Sequence, residues 1–190
     1  MNVKKNETAK ERIVRTASVL FYTEGIRAVG IDRIIEEAGV AKASLYRNFA
    51  TKDDLVVAYL ERFNQLILKS FLEAEQRYPE SPLDQLYDVL EKLIARFELP
   101  GYRGCPFLNT AVEFPDADHP SHGPIEMYHR EMRFKLKQLA EWAGLKEPET
   151  LSAQLLMLYN GAHMSAYLER SAYDPKDFRS AAKLLIEQQR

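Results

Sequence analysis

The sequence contains few of the features that mark secreted, membrane-bound or disulfide-stabilised proteins. Its 190 residues include one cysteine, Cys105, which excludes an intrachain disulfide and is typical of the reducing cytoplasm. No apolar run reaches about 18 residues, the length that suggests a membrane-spanning helix. The charged N-terminus also lacks the apolar segment of a secretory signal. We therefore expect a cytoplasmic protein with no membrane partner.

The net charge of −2 conceals an asymmetry along the chain. Residues 1–52 contain ten Lys or Arg and six Asp or Glu, a net charge of +4, which leaves −6 for residues 53–190. A basic N-terminal domain followed by an acidic body is a distribution that suits a nucleic-acid-binding protein. We accordingly predict two domains, 1–52 and 53–190.

Hydrophobic spacing predicts an all-α fold of about nine helices and gives no convincing strand. Gly25 is placed to end the first helix, and Thr51, Ser81 and Asp174 are placed to cap later helices at their N-termini. The predicted helices cover residues 7–24, 31–38, 42–48, 52–77, 82–99, 105–113, 125–143, 149–171 and a last segment from 175 onward.

Residues 25–52 contain two short helix patterns, IDRIIEEA and KASLYRNF, separated by Gly39-Val40. Two short helices joined by a tight turn that contains glycine form a helix-turn-helix, whose second helix enters the major groove of DNA. Leu45 and Phe49 are four residues apart and should share the buried face of that helix. The remaining positions would then face DNA.

This stretch closely resembles the DNA-binding domain of the TetR family of bacterial transcriptional regulators. The resemblance covers roughly the first 55 residues, and GCPFLN at 104–109 resembles a segment found in one branch of that family. It implies a sequence-specific regulator, a repressor that a small-molecule effector releases from its operator. The residues that carry it are Ala17, Leu20, Phe21, Gly25, Ile31, Ile34, Ala38, Gly39, Val40, Leu45, Tyr46, Phe49, Lys52 and Leu55.

The resemblance also implies which residues contact DNA. Lys42 and Tyr46 would contact phosphates or base edges, Ala43 and Ser44 would approach bases closely, and Lys52 would bind a phosphate. Arg47 and Asn48 have the side chains that pair with purines or phosphates. The family usually has Ser or Thr as the caps of helices two and three, whereas this chain has Gly30 and Ala41.

Small residues on the last two helices predict a homodimer. They allow close approach of helix backbones, and two helices from each subunit would form a four-helix bundle across a two-fold axis. A two-fold dimer would bind double-stranded DNA at a pseudo-palindromic operator. Packing of the same faces within one chain is the alternative. The predicted interface comprises Leu158, Gly161, Ala162, Ser165, Ala166, Phe178, Ala182 and Leu185.

The body is rich in aromatic residues, and its apolar helices carry occasional polar ones, as a ligand pocket requires. By resemblance, a pocket among helices four to eight would hold the effector, whose binding would shift helix four and the spacing of the two DNA-binding domains. The candidate effector-binding residues are Phe63, Asn64, Phe97, Cys105, Phe107, Asn109, Tyr128, Tyr159, His163 and Tyr167.

Several other functions stay open at this stage. Cys105 near the start of a helix could sense electrophiles or oxidants, because a helix N-terminus lowers a thiol's pKa. His119 and His122 form only a weak metal-binding signal, so we expect no metal and no cofactor. Glu113, Asp116, Asp118 and these histidines cluster as in a small all-helical enzyme, but no catalytic motif accompanies them. A purely architectural DNA-binding protein would not need the aromatic-rich body.

Overall fold

A computed structural model describes residues 7–190, and within that range the chain is all-α. Lys4 and Lys5, which contribute to the basic charge of the N-terminal domain, lie outside the described residues. Two short 3-10 turns, Arg96–Glu98 and Arg170–Ala172, follow the fifth and eighth α-helices. The nine α-helices of the described range are α1 (Ala9–Glu24), α2 (Ile31–Ala38), α3 (Lys42–Asn48), α4 (Lys52–Arg77), α5 (Pro82–Ala95), α6 (Pro106–Glu113), α7 (His122–Trp142), α8 (Pro148–Glu169) and α9 (Pro175–Glu187).

The capping predictions are confirmed at the helix ends. The α1 helix stops at Gly25, which has φ +94°, a conformation that side chains with a Cβ rarely adopt. The side chains of Ser81 and Asp174 accept hydrogen bonds from backbone N–H groups in the first turns of α5 and α9. The Thr51 hydroxyl accepts from the N–H of Asp54. These local bonds satisfy donors that have no partner inside the helix.

Two helix boundaries differ from the sequence prediction by three residues or more. The α7 helix begins at His122, three residues early, because Pro124 in a first turn needs no N–H partner and the N–H of Ile125 bonds to the carbonyl of Ser121 at 3.2 Å. The α5 helix ends at Ala95, and Leu99 is extended because the proline that follows disfavours a helical conformation there.

The described chain forms two compact units, which divide it differently from the predicted boundary after residue 52. The first unit contains residues 7–63 and Pro106–Ile125, so α6 lies in the same unit as the helix-turn-helix. The second unit contains Asn64–Cys105 and Glu126–Arg190. The chain passes between the units inside α4, before α6 and inside α7.

Each unit has its own apolar core. In the first unit, α1 packs against α2 and α3, and the most deeply buried side chains there include Ile13, Phe21, Ile34, Leu45, Leu55 and Phe107. In the second unit, α8 packs against α9, and the core there includes Leu86, Leu93, Met132, Leu155, Phe178 and Ile186. Among the helices of residues 7–190, none is long and apolar enough to cross a membrane.

Candidate nucleic-acid interface

The α3 helix has one buried face and one exposed face, as its sequence predicts. Leu45 is completely buried and Phe49 is 5% exposed, so both belong to the core of the first unit. Of the predicted DNA-binding residues, Lys42, Ala43, Tyr46 and Arg47 are exposed, whereas Ser44 and Asn48 are half-buried. Tyr46 exposes 47% of its surface, which is a large fraction for an aromatic side chain.

Two of the predicted contact residues already have partners within the first unit. Lys42 Nζ lies 3.1 Å from Asp32 Oδ1, and this hydrogen bond raises the pKa of Lys42. Both side chains are well exposed, so the pair is weak and a phosphate can replace Asp32. The Asn48 side chain donates to the carbonyl of Ser44 at 2.7 Å and would have to leave it to contact a base. Sequence reasoning identified neither bond.

Lys52 opens α4 and is half-buried beside the ring of Phe21, with Nζ 5.9 Å from the ring centroid. Burial lowers the pKa of Lys52, and the carboxylates of Glu113 and Asp53 oppose that shift. Just before it, Thr51 and Asp54 exchange hydrogen bonds between side chain and backbone. The N-terminus of a helix with a lysine beside it is a suitable site for a phosphate.

The acidic residues and histidines from the last residue of α6 to the first of α7 form hydrogen bonds within the first unit. Both carboxylate oxygens of Glu113 accept backbone N–H groups of the turn between α1 and α2. His119 Nδ1 lies 2.8 Å from the hydroxyl of Ser121, and His122 Nε2 lies 2.9 Å from the carbonyl of Phe114. Among residues 7–190, no group of three His, Cys, Asp or Glu side chains is arranged to hold a metal ion.

Three of the candidate effector-binding residues come together in the second unit. Phe97, Tyr159 and His163 are in mutual ring contact, with centroid separations of 4.4–5.8 Å. Tyr102 and Tyr173 also contact Phe97, and Tyr102 Oη lies 2.5 Å from His163 Nδ1. Sequence reasoning missed both tyrosines, because no local pattern relates Tyr102 to a histidine 61 residues away.

The remaining candidates are dispersed. Asn64 is buried and donates to a carboxylate oxygen of Glu131 at 2.5 Å. Cys105 and Tyr128 are buried; burial raises the pKa of Tyr128 well above its ordinary value, and nearby Tyr159 and Cys105 add to the shift. The rest lie in the first unit or at the surface: Phe63 packs on Tyr22 and Tyr59, Phe107 is buried in the first unit, and Asn109 and Tyr167 are exposed.

The predicted dimer residues lie where α8 and α9 meet, and two of them, Ala162 and Phe178, are both buried and part of a groove lining. Four of them, Ala162, Ala166, Phe178 and Ala182, are already buried within one chain, where α8 packs against α9. A groove between these helices remains open, and its lining includes Leu158, Gly161, Ala162, Ser165, Phe178 and Leu185. The α8 helix exposes the apolar side chain of Met157, which also lines the groove, and those of Met164 and Leu168.

An exposed polar face on the second helix of a helix-turn-helix, joined to a second helical unit, defines a DNA-binding regulator. The family description "Bacterial regulatory proteins, tetR family" matches residues 13–59, and "Tetracyclin repressor-like, C-terminal domain" matches residues 82–182. The chain therefore belongs to the TetR family. It is a DNA-binding transcriptional regulator and not an enzyme.

Solved structures and curated relatives support the same family. A TetR-family transcriptional regulator from Streptomyces coelicolor is 32% identical, with a TM-score of 0.85 and 95% of each chain covered. A TetR-type regulator from Streptomyces avermitilis is 24% identical, with a TM-score of 0.81 over 96% of this chain and 98% of its own, and shares the fold. An uncharacterized HTH-type transcriptional regulator of Lactococcus lactis is 25% identical over 155 residues, 80% of this chain and 79% of its own.

Proposed function

We propose that the protein is a homodimeric repressor whose α3 helices read a pseudo-palindromic operator and which a small-molecule effector releases. The observation that carries the proposal is the outward face of α3, where Lys42, Tyr46 and Arg47 are exposed opposite the buried Leu45 and Phe49. An exposed face of this kind, with cations and an aromatic ring, suits insertion into the major groove. A protein that binds operator DNA would act in the cytoplasm.

The side chains of this face divide by chemistry into two kinds of contact. Lys42, Lys52 and the N-terminus of α4 suit phosphates, which fix the position of the protein on the duplex. Arg47 and Asn48 suit purine edges, and the small Ala43 and Ser44 allow the helix to approach bases. Ala43 and Ser44, near the start of α3, offer few hydrogen-bonding groups to bases. Base recognition therefore depends strongly on Arg47 and on DNA shape.

The experiment measures affinity for a DNA fragment that the wild-type protein selects from a random library. Tyr46→Ala and Lys52→Ala should each weaken binding to that fragment by about tenfold, the loss expected from one good contact per half-site. Lys69→Ala, at an exposed lysine in the part of α4 that belongs to the second unit, is the matched control. Wild-type affinity in both Tyr46→Ala and Lys52→Ala would show that the DNA-contacting face is misplaced.

Dimerisation through α8 and α9 follows from the groove and the apolar surface beside it. TetR-family regulators dimerise, and Met157, Met164 and Leu168 expose 66%, 53% and 69% of their surfaces. Their spacing places them on one face of α8, and an exposed apolar patch on a helix face is expected to meet a partner surface. A second copy of the chain would present the same patch and groove, as a two-fold interface requires.

For the effector, we propose the aromatic cluster around His163 in the second unit as the part of the body that contacts it. The cluster combines apolar ring surface with a few polar atoms, which is the composition of small-molecule sites. A candidate compound should raise the melting temperature and lower operator affinity together, because it binds the folded, DNA-free state best. Cys105 is 3% exposed, which argues against the alternative of a thiol sensor, since reactive cysteines are partly exposed.

A further inference from the structure

The turn between α1 and α2 is held by a carboxylate from a distant part of the chain. Glu113, the last residue of α6, accepts the backbone N–H of Ile26 at 3.1 Å through one oxygen and that of Arg27 at 2.9 Å through the other. These bonds join residues 87 and 86 positions apart. Hydrogen bonds to a charged acceptor are stronger than those between neutral groups, so this contact fixes the turn firmly.

Gly25 makes room for this carboxylate. A Cβ built at Gly25 would lie 3.3 Å from Oε1 of Glu113, which is closer than most such contacts, and the φ of +94° disfavours any other residue. The glycine that ends α1 therefore also allows the Glu113 side chain to approach the backbone.

The residues that follow Glu113 attach the same segment to the start of α4. The guanidinium of Arg27 lies 5.2 Å from the ring centroid of Phe114, and His119 stacks on that ring at 4.1 Å. His119 Nε2 lies 3.5 Å from Oδ1 of Asp53, in the first turn of α4. Residues 113–122 thus connect the α1–α2 turn to the helix end that carries Lys52.

We propose that Glu113 is a positioning residue for DNA binding, which sets the angle at which α2 and α3 leave α1. Ile26 is 2% exposed, so its N–H needs a protein partner in this position, and α2 starts five residues later. Without the carboxylate the turn is free to relax, and α3 moves relative to the end of α4. The base contacts of α3 and the phosphate contact at Lys52 then no longer fit the same operator, although phosphates of any duplex can still bind the protein.

The inference rests on the proposed DNA-contacting face, so the test includes a variant of that face. Full-length wild type, Glu113→Gln, Glu113→Ala, Tyr46→Ala and the control Asp118→Asn are titrated with the selected fragment and with random duplex DNA. Asp118 is an exposed carboxylate in the same segment, so its variant removes an equal charge nearby. The readout is the ratio of the two affinities, which partial unfolding would leave unchanged because inactive protein lowers both equally.

The expected result is that Glu113→Gln lowers this ratio by about tenfold, with random-DNA affinity within about twofold of wild type. Asp118→Asn should keep the wild-type ratio. Amide hydrogen exchange gives a second readout: the N–H groups of Ile26 and Arg27 should exchange faster in Glu113→Gln, while those of α8 stay protected. Because it is measured on Glu113→Gln, this readout tests the proposal even when Glu113→Ala does not fold.

A wild-type ratio in Glu113→Gln would overturn the inference, as would an equal loss in Asp118→Asn. If Tyr46→Ala lowers operator affinity while Glu113→Gln does not, only the role of Glu113 is wrong. If neither variant lowers it, the proposed DNA-contacting face is wrong as well.

Discussion

His163 is a nearly buried histidine that stays neutral within an aromatic cluster. Burial lowers its pKa from 6.5 to about 3, and the nearby positive charge of Arg96 adds to the shift. Its Nδ1 lies 2.5 Å from the Tyr102 hydroxyl, so the neutral ring has a hydrogen-bond partner where the charged ring would lack solvation. A residue of this kind makes the stability of the second unit depend on pH.

The sign of that dependence follows from proton binding. Between pH 6.5 and about 3 the unfolded chain binds a proton at His163 that the folded chain does not, so the stability contributed by the neutral ring is complete above pH 6.5 and is lost as the pH falls. Urea unfolding of wild type and His163→Gln at pH 7, 6, 5 and 4.5 measures the difference. We expect the slope of the unfolding free energy against pH to be smaller in the variant by up to about 1.4 kcal/mol per pH unit.

His129, whose pKa burial also lowers, remains in the variant and supplies a residual slope of the same sign. Identical slopes for the two proteins would mean that His163 binds its proton over the same pH range in the folded and unfolded states.

Among single residues, those with local roles could be predicted and those with distant partners could not. Leu45 and Phe49 follow from helical spacing, and Gly25 follows from its place at a helix end. Glu113 and Tyr102 carry no local pattern, since their partners lie more than 60 residues away. From the sequence, Glu113 belongs to a cluster with His119 and His122, and its bonds to the α1–α2 turn leave no sign there.

At the scale of elements, α2 and α3 begin without a side-chain cap, as the sequence predicts. Gly30 and Ala41 both have extended cap conformations, at φ −81° and −69°, and neither gives a side-chain hydrogen bond to its helix. The α3 helix has only seven residues and no side-chain cap, so its stability depends on the packing of Leu45 and Phe49.

Ala41→Ser should therefore stabilise the first unit. A serine at this extended position can accept a hydrogen bond from the first turn of α3, for a gain of about 0.5–1 kcal/mol in the free energy of unfolding. Chemical denaturation that follows the first unit measures the gain. Ala43→Ser, at the second residue of the same helix, is the control and should give no gain, because serine is a poorer helix former than alanine. If Ala41→Ser and Ala43→Ser changed the free energy of unfolding equally, the serine at position 41 would not form the capping hydrogen bond.

At the scale of the whole molecule, the proposed dimer depends on Gly161. This glycine is exposed on α8 and lines the open groove. Apart from its chain neighbours and the adjacent backbone of its own helix, no atom of the described chain lies within 4 Å of a Cβ built on it. A larger side chain should therefore fit the folded subunit and obstruct only a partner.

Gly161→Leu should weaken dimerisation by about 100-fold and leave the subunit folded, with the helical circular dichroism spectrum of wild type. Sedimentation velocity over a range of concentrations measures the first quantity. Gly123→Leu is the matched control, because Gly123 is also exposed on a helix and has the same open space among the described residues. A Gly161→Leu protein that dimerises like wild type would place the interface elsewhere.

The sequence by itself determined the all-α fold, most helix boundaries, the buried and exposed faces of α3 and the family resemblance. The first three depend on interactions between residues one to four positions apart, which leave a periodic or capping pattern in the chain. Only the tertiary structure decided that α6 belongs to the unit of the helix-turn-helix, that Glu113 holds the α1–α2 turn, and that Tyr102 pairs with His163. Such contacts join residues distant in sequence, and packing alone brings them within hydrogen-bonding distance.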